Sequence, residues 1–153
     1  MTATDVTIRD MQDRDMPAVL RIEKVADDGV WTFRDFTVWR KHETAVLKVA
    51  EKDGAVIGFI IFHSPNHARL AILNLSVDPA FEDTDVADQL LQNAIDFLKE
   101  RGFVMLTLEV EEEDEEGAEF FTRHGFIQEG IIPNHFGDGL NARYLELRSE
   151  KFR

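Results

Sequence analysis

The sequence predicts an α/β fold that forms a single domain over residues 1–153. Two observations favour this fold. The spacing of apolar residues changes several times between the helical and the alternating period, and a glycine or an Asp-Gly pair stands where several of these segments end. The predicted order of elements is β-α-α-β-β-β-α-β-α-β-β.

The first part of the chain is predicted to form a strand and two helices. Val6 and Ile8 alternate with polar residues, which is typical of a strand. A helix begins at Asp15 and Pro17, and the residues of its apolar face are Val19, Leu20, Ile22 and Val25. Thr32 and Asp35 have the spacing of a capping box for a second helix, whose aromatic residues are Phe33, Phe36 and Trp39.

A hairpin is predicted next. Two apolar segments, Ala45–Glu51 and Ala55–His63, are joined by Asp53-Gly54, the pair favoured in two-residue type I′ turns. The remaining predicted elements are a strand over Arg69–Val77, a helix that opens at Asp83–Asp88 and ends at Gly102, a strand over Val104–Val110, a helix over Glu115–His124, and strands over Phe126–Ile132 and Ala142–Arg148.

The composition excludes several classes of protein. The formal net charge of −13 argues against nucleic acid and anionic membranes as partners, because both require a basic surface. No stretch approaches the roughly 20 apolar residues of a membrane helix, and the N-terminus does not resemble a signal peptide. The absence of cysteine excludes disulfides and thiolate metal sites. We therefore expect a soluble cytoplasmic protein. Its acidity either attracts a cationic partner, serves solubility alone, or reflects adaptation to salt.

Four short motifs occur in order along the chain. They are Leu73-Asn74-Leu75-Ser76-Val77-Asp78-Pro79, Leu90-Leu91, Leu108-Glu109-Val110 and Gly125-Phe126. Their order and separation resemble those of the GNAT (Gcn5-related N-acetyltransferase) superfamily, and most of all its RimI-like protein N-acetyltransferases. The resemblance covers nearly the whole chain. It implies a mixed, mostly antiparallel and twisted sheet of six or seven strands, flanked by about four helices.

The resemblance also implies an activity, the transfer of an acetyl group from acetyl-CoA to a primary amine. The family places the acyl carbonyl near the backbone of Leu75, Ser76 and Val77, whose N–H groups would polarise it. It places the pyrophosphate at the N-terminus of the next helix. The corresponding positions of this chain are Glu82, Asp83, Thr84, Asp85, Val86 and Ala87.

That turn departs from the family pattern, Arg/Gln-x-x-Gly-x-Gly/Ala. Only Ala87 fits, because Glu82 replaces the basic or amide residue, Asp85 replaces the first glycine, and Asp83 adds a further carboxylate. A side chain at position 85 obstructs close approach of the backbone to a phosphate, and the carboxylates repel it. The same carboxylates also suit the cap and the dipole of a helix N-terminus.

Further departures concern the groups that would hold the cofactor or move a proton. The family's asparagine after the Leu-Glu-Val strand is Asp114 here, and the tyrosine that protonates the leaving thiolate is Phe121. A tyrosine pair in the late loop of RimI-like members is replaced by His135-Phe136. His135 is a candidate catalytic residue because an imidazole titrates near neutral pH. Asn74 is a second catalytic candidate, by resemblance alone.

Candidates for contact with the acceptor lie in the early helical region and in the late loop, which the family uses for its substrate. They are Phe33, Phe36, His135 and Phe136, with core packing as the alternative for the two residues of the early helix. No metal site is predicted, since Pro65 between His63 and His67 argues against a helix and a third ligand is lacking.

The acidic run Glu111–Glu116 is open to two interpretations, a solvated loop that leads into a helix and a surface that attracts a cationic peptide or a divalent ion. Two functions also remain open. One is an acyl-CoA-dependent N-acyltransferase that acts on a primary amine or a basic protein. Its acetyl-CoA chemistry is either weak or absent, or it is active through unusual contacts. The other is a non-catalytic GNAT-fold module that binds a protein or a small ligand. Either is expected to be a monomer or a homodimer.

Overall fold

The computed structural model describes residues 5–150. Its helices and strands, in chain order, are β1 (Val6–Asp10), α1 (Met16–Asp27), α2 (Phe33–Arg40), β2 (Ala45–Lys52), β3 (Ala55–His63), β4 (Arg69–Val77), α3 (Val86–Glu100), β5 (Met105–Glu111), α4 (Glu115–Arg123), β6 (Ile127–Ile132) and β7 (Ala142–Arg148). Short 3₁₀ turns cover Asp13–Asp15 and Pro79–Phe81. The predicted order of helices and strands is confirmed.

The strands form a seven-stranded sheet in the order β1-β2-β3-β4-β5-β7-β6. Strands β4 and β5 run parallel, with Arg69–Ala71 paired to Met105–Thr107. The pairs β1/β2, β2/β3, β5/β7 and β6/β7 are antiparallel. The predicted mixed and mostly antiparallel sheet is therefore confirmed, and four α-helices accompany it within residues 5–150.

The β2–β3 hairpin turns at the predicted residues. Asp53 has a φ of 51° and Gly54 a φ of 80°. A type I′ turn requires a positive φ at both central residues, which aspartate tolerates and glycine adopts without strain. The turn thus sets the register in which Ala55 lies opposite Lys52.

By its internal contacts the chain divides into two compact units, residues 5–64 with 72–97, and residues 65–71 with 98–150. The core of the first unit is formed by Met11, Met16, Val19, Ile22, Phe36, Val49, Val56, Phe59 and Ile61. In the second unit, buried leucines of β5 and β7 lie opposite each other, Leu106 beside Leu147 and Leu108 beside Leu145. The single domain over residues 1–153 stays a prediction.

The buried face of α1 differs from the predicted one. Val19 and Ile22 are buried as expected, but Val25 is 61% exposed and Glu23 is fully buried. At 3.6 residues per turn, Val25 lies about 200° around the helix from Glu23. The prediction for Val25 was therefore wrong, because the buried stripe of α1 passes through Val19, Ile22 and Glu23 and leaves Val25 on the outer side of the helix.

No helix of residues 5–150 combines the length and the apolar character that crossing a membrane requires.

A charge network fixes the start of α1 to β1 and β2. Both Asp15 oxygens accept hydrogen bonds from the Arg9 guanidinium, at 2.7 and 2.9 Å, and Arg9 also contacts Glu51 at 3.0 Å. Asp15 Oδ2 accepts a further hydrogen bond from the main-chain N–H of Gln12. The Arg9 bonds hold the pKa of Asp15 below its ordinary value, although burial opposes this effect.

Replacing Asp15 with Asn is expected to lower the free energy of unfolding at neutral pH by about 2 kcal/mol, since hydrogen bonds to charged groups contribute ~1.5–3 kcal/mol. Because the folded pKa lies below the unfolded value of about 3.9, this stability is present above about pH 4. It is lost as the pH falls through the folded pKa. Urea denaturation across the acidic range measures the difference between variant and wild type.

Asp13→Asn is the matched control for this change, because the Asp13 side chain lies in the same turn but is 93% exposed. We expect it to change stability by less than about 1 kcal/mol. A difference between wild type and Asp15→Asn that persists at the lowest pH would contradict the assignment.

Candidate functional site

The second half of β4 contributes to a buried polar network within the first unit. Asn74 Nδ2 donates to Glu23 Oε1 at 2.8 Å, and Ser76 Oγ donates to Asn74 Oδ1 at 2.9 Å. The second carboxylate oxygen of Glu23 accepts from the main-chain N–H of Trp31 at 2.9 Å. The network joins α1, the segment that leads into α2, and β4, near whose backbone the acyl carbonyl was predicted to lie.

Glu23 is the residue of this network that the sequence interpretation missed. Its exposed fraction is 0%, and those of Asn74 and Ser76 are 8% and 7%. The available signal was its position, four residues after Val19 and directly after Ile22, on the apolar stripe of a helix. An acidic residue in such a stripe is almost never buried without partners. Its position therefore indicates that a hydrogen-bond donor from another segment packs against it.

Close packing of β3 against β4 holds the same strand in place. A Cβ added to Gly58 would lie 3.1 Å from the main-chain oxygen of Ser76 and 3.1 Å from Leu90 Cδ1. Asp78 N donates to Ile57 O at 2.8 Å, directly after β4 ends. Leu75 and Val77 are half-buried. The predicted acyl segment is thus closely packed within the first unit.

The predicted pyrophosphate turn leads into α3. Glu82 and Asp83 are exposed, and Thr84, Asp85 and Ala87 are half-buried, while Val86 is buried as the first residue of the helix. The Thr84 hydroxyl accepts a hydrogen bond from Val86 N at 3.3 Å. The Asp85 main-chain oxygen accepts from Gln89 N at 2.9 Å, and its carboxylate accepts from Gln89 Nε2 at 3.0 Å.

The side chains of this turn fit a diphosphate poorly. Anion sites at helix N-termini depend on free main-chain N–H groups, and the first of them in α3 already has a side-chain partner from the chain itself. The turn supplies carboxylates where the ligand is negative, which raises the free energy of the bound state. A cofactor phosphate would therefore have to compete with the Thr84 hydroxyl for the Val86 N–H.

The two predicted acceptor contacts in α2, Phe33 and Phe36, differ in their exposure to solvent. Phe36 is 0% exposed and packs against Trp31 and Phe59, with ring centroids at 5.1 and 5.5 Å. Phe33 is 61% exposed. Core packing therefore describes Phe36, and direct contact with an acceptor is not available to its buried ring.

Phe33 lines a surface cavity of about 380 Å³ in the first unit. The other residues around it are Asp13, Met16, Thr37, Arg40 and Lys41. Arg40 pairs with Asp13 across this surface. The exposed Phe33 ring offers an apolar contact beside the Arg40–Asp13 ion pair and Lys41.

In the second unit the predicted cofactor positions have structural roles. Asp114 Oδ1 accepts from Gly117 N at 2.9 Å and so caps α4. A Cβ on Gly117 would come within 2.3 Å of the Asp114 carboxylate, so this glycine makes room for the cap. Phe121 is 7% exposed and packs on Phe120 and Phe126 at 5.0 and 5.4 Å. A buried phenyl ring has no proton to transfer.

His135 and Phe136 lie in the loop between β6 and β7. His135 is exposed, and its ring contacts Phe136 at 4.8 Å, while Phe136 is 41% exposed. Asn134 holds this loop by accepting from Gly139 N and donating its own N–H to Asn141. Asn74 belongs to the first unit and His135 to the second, so their joint catalytic role stays a prediction.

Two residues of the acidic run Glu111–Glu116 contact Arg143 in the second unit. Arg143 Nη2 contacts Glu115 Oε1 at 2.6 Å, and Arg143 Nε donates to the main-chain oxygen of Glu112 at 2.8 Å. Within residues 5–150, no group of three or more histidine, aspartate or glutamate side chains is arranged to hold a metal ion.

The chain is similar in sequence and in fold to known acetyltransferases. The chain is 28% identical over 130 residues to the [ribosomal protein bS18]-alanine N-acetyltransferase of Salmonella typhimurium, a match that covers 85% of this chain and 86% of that protein. Its fold is similar to that of Ard1 from Thermoplasma volcanium, with a TM-score of 0.87, 24% identity and coverage of 95% and 98%.

A GNAT family acetyltransferase from Elizabethkingia anophelis, solved with acetyl-CoA bound, has a TM-score of 0.80 at 16% identity, with coverage of 96% and 100%. At these identities the two solved structures show the fold alone. The family model described as Acetyltransferase (GNAT) family matches residues 7–126, which is most of the chain. The chain therefore belongs to the GNAT acetyltransferase family.

Proposed function

We propose that this protein transfers acetyl groups to a primary amine, with an affinity for acetyl-CoA that its acidic turn lowers. The observation that carries the proposal is the family match over residues 7–126. The relative from Salmonella typhimurium, which acts on an alanine of a ribosomal protein, supports an N-terminal amine as the acceptor. A lysine or a small amine is the alternative acceptor.

The lowered affinity rests on the turn itself. Glu82, Asp83 and Asp85 stand where the family pattern has a basic or amide residue and a glycine. Each carboxylate close to a phosphate costs about 1 kcal/mol at ~4 Å in water and more where solvent is partly excluded. Binding through the pantetheine arm and the backbone of Leu75–Val77 would have to offset this repulsion.

A second candidate function is a non-catalytic module that binds a protein or a small ligand. Two observations favour it. Asp114 is engaged as a helix cap, and Phe121 is a core residue that carries no transferable proton. Under this alternative the chain keeps the family fold and has no measurable affinity for acetyl-CoA.

Calorimetric titration with acetyl-CoA separates the two. We expect weak but saturable heat at millimolar cofactor, together with acetylation of a peptide that begins with alanine or of free lysine, followed by mass spectrometry. Bound ligand also stabilises the fold, by about 2.7 kcal/mol at a concentration 100 times the dissociation constant. The absence of heat, stabilisation and product, relative to a salt control, would support the non-catalytic module. A low-micromolar dissociation constant would contradict the lowered affinity.

A further inference from the structure

A second surface cavity of the first unit, with a volume of about 250 Å³, lies between α1 and the β2–β3 turn. Small residues line one part of it, namely Ala18 of α1, Gly54 of the turn and Ala55 at the start of β3. A Cβ added to Gly54 would meet no atom within 4 Å. The cavity is therefore open because the side chains around it are short, and its lining includes none of the predicted acetyl-CoA or acceptor positions.

Two arginines of the lining, Arg14 and Arg21, have no carboxylate partner among residues 5–150. Both are exposed; Arg14 lies in the 3₁₀ turn that leads into α1, and Arg21 lies in α1 itself. Arg14 Nε donates to Gln12 Oε1 at 2.6 Å, which leaves the two terminal NH₂ groups of Arg14 available. Seven residues span roughly 11 Å along a helix, a distance that two arginine side chains can close around one small anion.

The third arginine of the cavity is already engaged. Arg9 donates to both oxygens of Asp15 and to Glu51 Oε1, and both acidic residues belong to the same lining. These three side chains together carry one net negative charge, so Arg14 and Arg21 make the lining as a whole cationic. This cationic cavity occurs in a chain whose formal net charge is −13. A ligand that suits it is an anion that contacts Arg14 and Arg21.

The geometry of the free donors favours one kind of anion. A guanidinium group donates two parallel hydrogen bonds to a pair of acceptor oxygens. A carboxylate has two oxygens and satisfies one arginine in this way. A phosphate monoester has three terminal oxygens and a charge of about −1.5 to −2 at pH 7, so it can bind both arginines at once and neutralise them.

We propose that this cavity binds the phosphate monoester group of a small molecule through Arg14 and Arg21. Its volume is below the ~300–1,000 Å³ of pockets for drug-sized ligands, so it holds the phosphate and the few atoms attached to it. The carboxylates of Asp15 and Glu51 in the same lining disfavour a second anionic group on the ligand. The proposal does not depend on the proposed acetyltransferase function.

The experiment is an NMR titration of the full chain with glycerol 3-phosphate at constant ionic strength. We expect saturable shifts of the backbone amide signals of Ala18 and Gly54. Acetate, which has a single carboxylate, is expected to bind at least tenfold more weakly, and glycerol is expected to cause no shift. Shifts that do not saturate, or equal affinity for acetate and glycerol 3-phosphate, would overturn the proposal.

The double variant Arg14→Gln/Arg21→Gln removes both charges that hold the phosphate. We expect it to weaken binding at least tenfold, because hydrogen bonds to charged groups are among the stronger ones. Arg34→Gln/Lys99→Gln is the matched control, since it changes the formal charge by the same amount at exposed positions outside the cavity. An equal loss of affinity in the two variants would show that only the overall charge matters and would overturn the site.

A further variant, Ala55→Leu, tests whether the cavity itself is required. It keeps every charge and fills part of the space with a larger side chain, and because Ala55 is exposed we expect the fold to be retained. Thermal unfolding of each variant verifies this. We expect glycerol 3-phosphate to bind at least threefold more weakly to this variant. Unchanged affinity in folded Ala55→Leu would mean that the phosphate does not enter the cavity, contrary to the proposal.

The last comparison concerns the source of the phosphate. A short peptide with a central phosphoserine carries the same group on a larger body. We expect it to bind no more tightly than glycerol 3-phosphate, because the cavity has room for little beyond the phosphate. A peptide affinity more than tenfold higher would overturn the assignment to a small molecule and indicate a phosphorylated protein as the partner.

Discussion

Replacing Glu82 with Arg and both Asp83 and Asp85 with Gly is expected to increase the affinity for acetyl-CoA more than tenfold. Two like-charge repulsions of about 1 kcal/mol each disappear, and each 1.4 kcal/mol corresponds to a factor of ten. The new glycine at position 85 also permits close approach of the backbone to phosphate. Isothermal calorimetry on the variant and the wild type measures the ratio of the two dissociation constants.

The variant is expected to keep its fold. Asp85 stands at the N-cap of α3, and glycine at an N-cap costs only a few tenths of a kcal/mol. Thr84, whose hydroxyl accepts from Val86 N, is unchanged. A gain in affinity would therefore result from the changed charge and shape of the turn, and not from a rearrangement of α3.

A charge-matched control distinguishes the turn from the net charge of −13. Glu129→Arg with Glu113→Gln and Glu116→Gln changes the formal charge by the same amount at exposed positions of the second unit. We expect less than a threefold change in affinity from it, since isolated exposed charges are screened by water and salt. Equal gains in both variants would mean that the acidic turn is not the limiting defect.

Replacing Phe36 with Ala is expected to lower the free energy of unfolding by about 3–5 kcal/mol. This is the usual range for removing a buried phenyl ring, which loses its burial and leaves a cavity. The ring is 0% exposed and makes an edge contact with Phe59 in the core of the first unit. Chemical denaturation monitored by tryptophan fluorescence measures the change.

Phe33→Ala is the control in the same helix. This side chain is 61% exposed, so we expect a change in stability within about 0.5 kcal/mol. If Phe33 contacts the acceptor, the variant loses affinity for the amine while it keeps its stability. Similar losses of stability in the two variants would contradict the assignment of one ring to the core and the other to the surface.

The order of helices and strands followed from local signals. The Asp53-Gly54 turn, the Thr32–Asp35 capping box and the change of apolar period act over a few residues, and the structure has each where it was predicted. The family motifs placed the Leu73–Pro79 segment on a strand for the same reason. These features require no knowledge of which segments pack together.

Only part of the candidate site could be predicted from the sequence. The acidity of the turn over Glu82–Asp85 was evident, because the charge of a side chain does not depend on the fold. The sequence did not show whether Phe33 and Phe36 pack in the core or contact an acceptor, because the two residues are three positions apart and helical spacing fits either role. Their assignment depended on which side of α2 faces the core of the first unit.

The sequence by itself determined the element order, the GNAT family and the charge of the turn before α3. Only the tertiary structure decided that Glu23 is buried and that its partner is Asn74, which lies 51 residues away along the chain. It also decided that Val25 faces outward. Burial and hydrogen bonding are set by segments distant in sequence, whereas helix caps and turns are set by neighbours.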